Sequence, residues 1–207
     1  MKKIGIFGGT FDPIHNGHLN LADKVSEVLN LDKVLIIPAS VPPHKRWLQI
    51  TDSRHRYEMC RLACWGNKLY EVSDIEIKRE GRSYTAQTVG EISEIYKDSK
   101  LYILMGSDSF LSVTKWYKFD EIIKLATICT VARNEEEFLK LYETQKLLHE
   151  LGADTIICDV PIVPISSSAI RNNIRNGYSI DDMVSEKVAD YIKRNCLYKQ
   201  KGSDFNG

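Results

Sequence analysis

The stretch Lys3-Ile4-Gly5-Ile6-Phe7-Gly8-Gly9-Thr10-Phe11-Asp12-Pro13-Ile14-His15-Asn16-Gly17-His18 governs how the rest of the chain is read. Its first five residues form an apolar run of strand length. Past the second histidine, Leu19, Leu21, Ala22, Val25, Val28 and Leu29 recur at mostly helical intervals. A buried strand therefore passes through paired glycines into an amphipathic helix. Glycines let the backbone approach a ligand closely, and the free amides and dipole of a helix start suit a phosphate. His15 and His18, three apart around that start, place both imidazoles on one side near the same anion. Gly8, Gly9, Thr10, Phe11, His15, Gly17 and His18 are accordingly read as a phosphate site.

The same alternation continues outward. Lys33 to Pro38, Leu101 to Met105, Ala126 to Ala132 and Thr155 to Ile157 read as strands; Asp52 to Trp65, Thr85 to Tyr96, Glu135 to Leu151 and Asp181 to Asn195 read as helices. Glu71 to Arg79 alternates polar and apolar residues, the pattern of a more exposed strand. Strands apolar enough to be covered on both faces, interleaved with helices, imply an α/β fold: a Rossmann-like, doubly wound, mostly parallel sheet with its site at the carboxyl ends of the strands. A chain of 207 residues, 43% apolar, needs only one domain, expected over residues 1–198. Residues 199–207 lack an apolar face and read as a loose tail.

Charge and cysteine usage narrow the class. Lys plus Arg and Asp plus Glu number 28 each, so the chain has no basic excess for coating nucleic acid or a membrane surface. Locally the balance differs: Pro42 to Arg61 carries five basic residues against two acids, and Asn134 to Glu150 five glutamates against two lysines. The five cysteines are scattered with no CxxC pair, which argues against a disulfide framework or structural zinc and for a reducing, cytoplasmic setting. The opening apolar run is too short for a signal-peptide core, and none approaches the ~20 residues of a spanning helix. A homo-oligomer stays open.

A second chemical stretch is Ile165-Ser166-Ser167-Ser168-Ala169-Ile170-Arg171. Its serines can cap a helix and offer hydroxyls and amides to phosphate oxygens, and Arg171 adds a planar cation about one turn along. Asp108 and Arg133 follow the fourth and fifth strands; each could serve a nucleotide or only a local cap or surface pair.

The stretch GGTFDPIHNGH resembles the (H/T)xGH signature of the nucleotidyltransferase superfamily, related to the HIGH motif of class I aminoacyl-tRNA synthetases. ISSSAIR is similar to the superfamily's ISSTxIR, with Ser168 where threonine is more usual. Pro42-Pro43-His44-Lys45, Arg82-Ser83-Tyr84-Thr85-Ala86-Gln87-Thr88, and Gly106-Ser107-Asp108 followed by Trp116-Tyr117 are similar, in kind and order, to the PHK, SYTxxT and GxD…W features of bacterial nicotinate-nucleotide adenylyltransferases. The likeness spans Lys3 to Arg194.

That resemblance implies adenylyl transfer from ATP to nicotinate mononucleotide, giving nicotinate adenine dinucleotide and pyrophosphate in NAD biosynthesis. The implied catalytic groups are His15, His18, Lys45 and Arg171, with Gly106, Asp108, Arg133 and Ser166 to Ser168 joining the phosphate loop in holding ATP. Tyr84, Thr85, Trp116 and Tyr117 would hold the pyridine ring. Mg²⁺ arrives with ATP, no tightly bound organic cofactor is expected, and the partners are the two substrates rather than nucleic acid or membrane. The nucleophile is already an anion, so no activated serine or general base is required. A Rossmann oxidoreductase is disfavoured, since G-x-x-G-G is not G-x-G-x-x-G and no acid closes the second strand. Another acceptor (nicotinamide mononucleotide, phosphopantetheine or a polyol phosphate) and a non-catalytic nucleotide sensor are the remaining alternatives.

Overall fold

In the computed structural model, residues 1–42, 50–161 and 163–199 are described. Six strands, β1 (Lys2–Gly9), β2 (Lys33–Pro38), β3 (Tyr70–Val72), β4 (Ser99–Leu104), β5 (Ala126–Val131) and β6 (Thr155–Cys158), form one sheet in the order β3-β2-β1-β4-β5-β6. Every neighbouring pair is parallel. The helices are α1 (Asn16–Leu29), α2 (Ser53–Ala63), α3 (Ile75–Lys78), α4 (Thr85–Ile95), α5 (Ser107–Ser112), α6 (Phe119–Leu125), α7 (Glu135–Glu150), α8 (Ser167–Arg175) and α9 (Glu186–Arg194).

Alternation along the strands builds two cores, because successive side chains point to opposite faces. Phe7, Val34, Ile36, Tyr102 and Leu104 face α1, α2, α8 and α9, meeting Leu21, Met59, Ile170 and Val188. Ile4, Ile6, Leu35, Ile37, Leu101 and Ile103 face the other way, onto Val89 of α4, Phe110 of α5, Ile122 of α6 and Leu141 of α7. With both faces covered, the strands read as near-continuous apolar runs. Strand order runs outward from β1 to β3 and resumes beside β1 at β4, so the topology reverses between β1 and β4. A crevice opens outside the carboxyl ends of those two strands.

Helix ends follow local chemistry. Asn134 caps α7 by accepting from the Glu137 amide at 2.8 Å, and Glu135, Glu136 and Glu137 sit where the dipole favours them. Asn30 closes α1 in the left-handed region, φ 52°.

Two expectations need correction. The long exposed strand at Glu71 to Arg79 is only β3 at the sheet edge, followed by the helical turn α3. Pairing ends at Ile36 opposite Val72, and Ser73 donates to the Ile36 carbonyl as the chain leaves the sheet; Ile75 then packs on the second core. The helix expected from Asp181 begins only at Glu186, after turns in which Met183 and Val184 donate to the Ile180 carbonyl.

Candidate active site

The crevice is a cleft of about 900 Å³ that runs from the β1–α1 turn across the end of β4 to the start of α4. Its phosphate-like end is built on β1. Gly8 faces open space, with no atom within 4 Å of where a Cβ would stand. At Gly9 a Cβ would meet the Phe11 ring at 2.8 Å, so that position admits nothing larger. Phe11 itself is left-handed, φ 47°, and meets the His18 ring edge-on at 5.0 Å.

His15 is the N-cap of α1 and His18 its third residue. Nδ1 of each ring accepts the backbone N–H of the other residue at 3.3 Å, a capping box made of two imidazoles. With both δ nitrogens acting as acceptors, the neutral rings carry their protons on Nε2 and can donate from there. Burial pulls the His15 imidazole down to about 4, so near neutral pH it is an uncharged donor.

Across the cleft, the three serines divide their work. Ser166 caps α8 by accepting from the Ala169 amide at 3.1 Å. Ser167 donates to the Pro13 carbonyl at 2.9 Å, pinning α8 to the phosphate loop, and Ser168 accepts from Arg171 at 3.2 Å. Arg171 also donates to the Asp12 carbonyl at 2.7 Å. Gly106 is the N-cap of α5, and Asp108 lies in that helix's first turn rather than capping it. Arg133 bridges to the Ser107 hydroxyl at 3.1 Å, to Asp108 at 3.4 Å and to Glu137 at 3.8 Å.

At the far end, Tyr84 and Tyr117 stack obliquely with centroids 4.6 Å apart, and Thr85 and Trp116 complete an aromatic recess. Thr85 is the first residue of α4, whose N-cap is Tyr84, so a cap role does not explain it. The structure thus gathers every expected site residue into one cleft except Lys45, which lies outside the described residues together with Pro43 and His44.

The chain is similar to known proteins over nearly its whole length. Residues 6–173 match the cytidylyltransferase-like family model. A nicotinate-nucleotide adenylyltransferase of Bacillus subtilis (strain 168) is 37% identical over 199 residues, 96% of this chain and 100% of that protein. The chain belongs to the nicotinate-nucleotide adenylyltransferase family. A protein of Clostridium novyi described as a probable member is 38% identical over 202 residues, again at full length. In fold, the chain resembles the Plasmodium falciparum nicotinic acid mononucleotide adenylyltransferase complexed with NaAD, at TM-score 0.75, 20% identity, and 96% and 98% coverage of the two chains.

Glu76 in the cleft and Arg56 behind it escaped the sequence reading, and Thr88, quoted above only within the SYTxxT feature, was given no role there. Glu76 and Thr88 line the cleft, both buried, joined by a 2.6 Å hydrogen bond from the threonine hydroxyl. Arg56, 1% exposed, donates to the carbonyls of Thr10 (2.7 Å), Thr51 (2.8 Å) and Ser40 (3.1 Å), knitting the phosphate loop to the chain after β2. Of the basic excess in Pro42 to Arg61, the described members Arg54, Arg56 and Arg61 are engaged within the fold. Arg56 holds backbone, while Arg54 and Arg61 pair with Asp52 and Glu58. Among the described residues, no group of three or more His, Cys, Asp or Glu could hold a metal ion, and no helix is long and apolar enough to cross a membrane.

Proposed function

We infer that this chain transfers the adenylyl group of ATP to nicotinate mononucleotide, forming nicotinate adenine dinucleotide and pyrophosphate in the cytoplasmic synthesis of NAD. The observation that carries the reading is continuity: one cleft joins a donor-rich phosphate end, at His15, His18, Ser166 and Arg171, to an aromatic recess at Tyr84, Trp116 and Tyr117. The names of the relatives support the same acceptor.

In this reading an acceptor phosphate oxygen attacks the α-phosphorus of ATP. The bond from that phosphorus to the α,β-bridging oxygen breaks, and pyrophosphate leaves with its electron pair. The reacting groups need charge neutralisation and in-line placement, not a base. His15 and His18 donate Nε2–H to phosphate oxygens, and because His15 is uncharged the cationic share falls to Arg171, to Lys45 and to the Mg²⁺ that enters as part of MgATP. Gly106, Asp108 and Arg133 edge the nucleotide end. Tyr84 and Tyr117 offer ring faces, Trp116 a further wall and Thr85 a hydroxyl, the mix a flat polar heterocycle requires.

The test is pyrophosphate release from ATP with nicotinate mononucleotide against nicotinamide mononucleotide. Faster release with the acid is expected; equal rates, or none with either, would overturn the assignment.

A further inference from the structure

The turn from β1 into α1 is held by residues far from it in sequence. Phe11 sits in the left-handed region, which a non-glycine side chain occupies only where its surroundings enforce it. Arg56 grips the carbonyl before it, at Thr10, and Arg171 the carbonyl after it, at Asp12. The Asp12 carboxylate, 6% exposed, is satisfied from two further directions. The Thr51 amide donates to Oδ2 at 3.4 Å, and the Tyr198 hydroxyl donates to Oδ1 at 2.7 Å.

Tyr198 lies 186 positions from Asp12, just beyond α9. It and Leu197 pack on the core that holds Phe7 and Phe11. Its backbone is also left-handed, φ 66°, and its bond reaches the residue that follows the left-handed Phe11. Burial and the neighbouring carboxylate push the phenol's titration upward, which keeps the hydroxyl a donor across the physiological range. Without that hydroxyl, a buried carboxylate would rely on one long amide contact beside the Arg56 charge.

We propose that Tyr198 is a positioning residue of the adenylyl-transfer site, fixing the phosphate loop through the Asp12 carboxylate. The proposal rests on the function inferred above. His15 stands three residues after Asp12, so a loop released at Asp12 shifts the paired imidazoles and the open backbone at Gly8 together. The end of the fold thereby belongs to the apparatus that begins it.

The test uses the full chain with Tyr198→Phe, Asp12→Asn and the double variant. Three readouts are taken at a temperature where all are folded: kcat/KM for pyrophosphate release with nicotinate mononucleotide, ATP affinity by calorimetry without acceptor, and melting temperature. Tyr198→Phe is expected to lower both kcat/KM and ATP affinity roughly tenfold, the scale of a hydrogen bond to a charged group. The double variant should lose little more than Asp12→Asn alone, because the two act through one bond. Wild-type kcat/KM and ATP affinity in Tyr198→Phe, with or without a lower melting temperature, would overturn the proposal, as would fully additive losses. A wild-type chain inactive toward nicotinate mononucleotide would sink the acceptor assignment, whereas ATP binding weakened by Tyr198→Phe would still support the tether.

Discussion

His15 and His18 cap one another: the Nδ1 of each accepts the other's backbone N–H at 3.3 Å, and their rings stack with centroids 3.6 Å apart at 24°. This pairing explains the spacing of the two residues. Position three of a helix is where a capping side chain reaches back to the N-cap amide, and here an imidazole does what glutamate or glutamine does elsewhere. The same bonds occupy the Nδ1 atom of both rings and turn their Nε2 edges away from the helix start.

The buried His15 makes stability depend on pH. Its folded-state value of about 4 lies below the ordinary 6.5, so between those limits the unfolded chain binds a proton that the folded chain does not. Stability therefore falls as pH drops through that window, by up to roughly 3 kcal/mol. His15→Asn keeps an N-cap acceptor and removes the titration. In urea unfolding at pH 7 and pH 4.5, the wild type should lose about 2–3 kcal/mol more than the variant by the same linkage. Equal losses would show that His15 titrates normally.

His18→Gln separates capping from chemistry. Glutamine at the third helical position can still accept from the His15 amide, so the melting temperature should stay within a few degrees. The imidazole donor is gone, and turnover should fall ~100-fold or more, as for loss of one transition-state contact. Turnover near wild type in a folded His18→Gln would remove His18 from the catalytic group.

How far the sequence could be read depended on how local each cause was. The β1–α1 unit was legible because the hydrophobic period changes from strand to helix across a glycine pair, and His15 and His18 lie at the helix start that aims them. The segment after Tyr70 misled because Ile75, Glu76, Ile77 and Lys78 alternate apolar and polar like a strand, yet β2 offers no partner beyond Ile36, a fact set by another element. Arg56 and Asp12 were invisible for the same reason: their partners stand 46 and 186 positions away. The three adjacent serines look equivalent in sequence and are assigned to a cap, a tether and an arginine only by the packing of α8 on the phosphate loop.

Gly17 is required by contact rather than by backbone angle. A Cβ there would stand 2.9 Å from the Val163 carbonyl oxygen and 3.1 Å from Nδ1 of His15, and a carbonyl cannot swing aside as a side chain can. Gly17→Ala should push the chain before α8 away from α1, destabilising the fold by about 1–3 kcal/mol. Because His15 is the second neighbour, kcat/KM should fall as well. A stable, fully active Gly17→Ala would show that this approach is looser than described.

Arg171 spans two acceptors, the Asp12 carbonyl at 2.7 Å and the Ser168 hydroxyl at 3.2 Å, which a planar fork can reach together and an ammonium cannot. Arg171→Lys keeps the charge and loses that geometry. Its kcat/KM should drop at least ~10-fold, a loss on the scale of one charged hydrogen bond. Lysine restoring wild-type kinetics would mean that charge alone is used.

Tyr117 distinguishes the two ends of the cleft. It is 49% exposed, so its truncation removes little core packing, yet its ring lies 4.6 Å from that of Tyr84. If the aromatic recess holds the pyridine, Tyr117→Ala should raise KM for nicotinate mononucleotide by about 3- to 10-fold, the range of one stacking contact. KM for ATP should hold steady, because His15, His18 and Arg171 lie at the opposite end. Steady-state kinetics with each substrate varied in turn reads the two apart. A rise confined to ATP would reverse the assignment and place the adenine, not the pyridine, against Tyr84 and Tyr117.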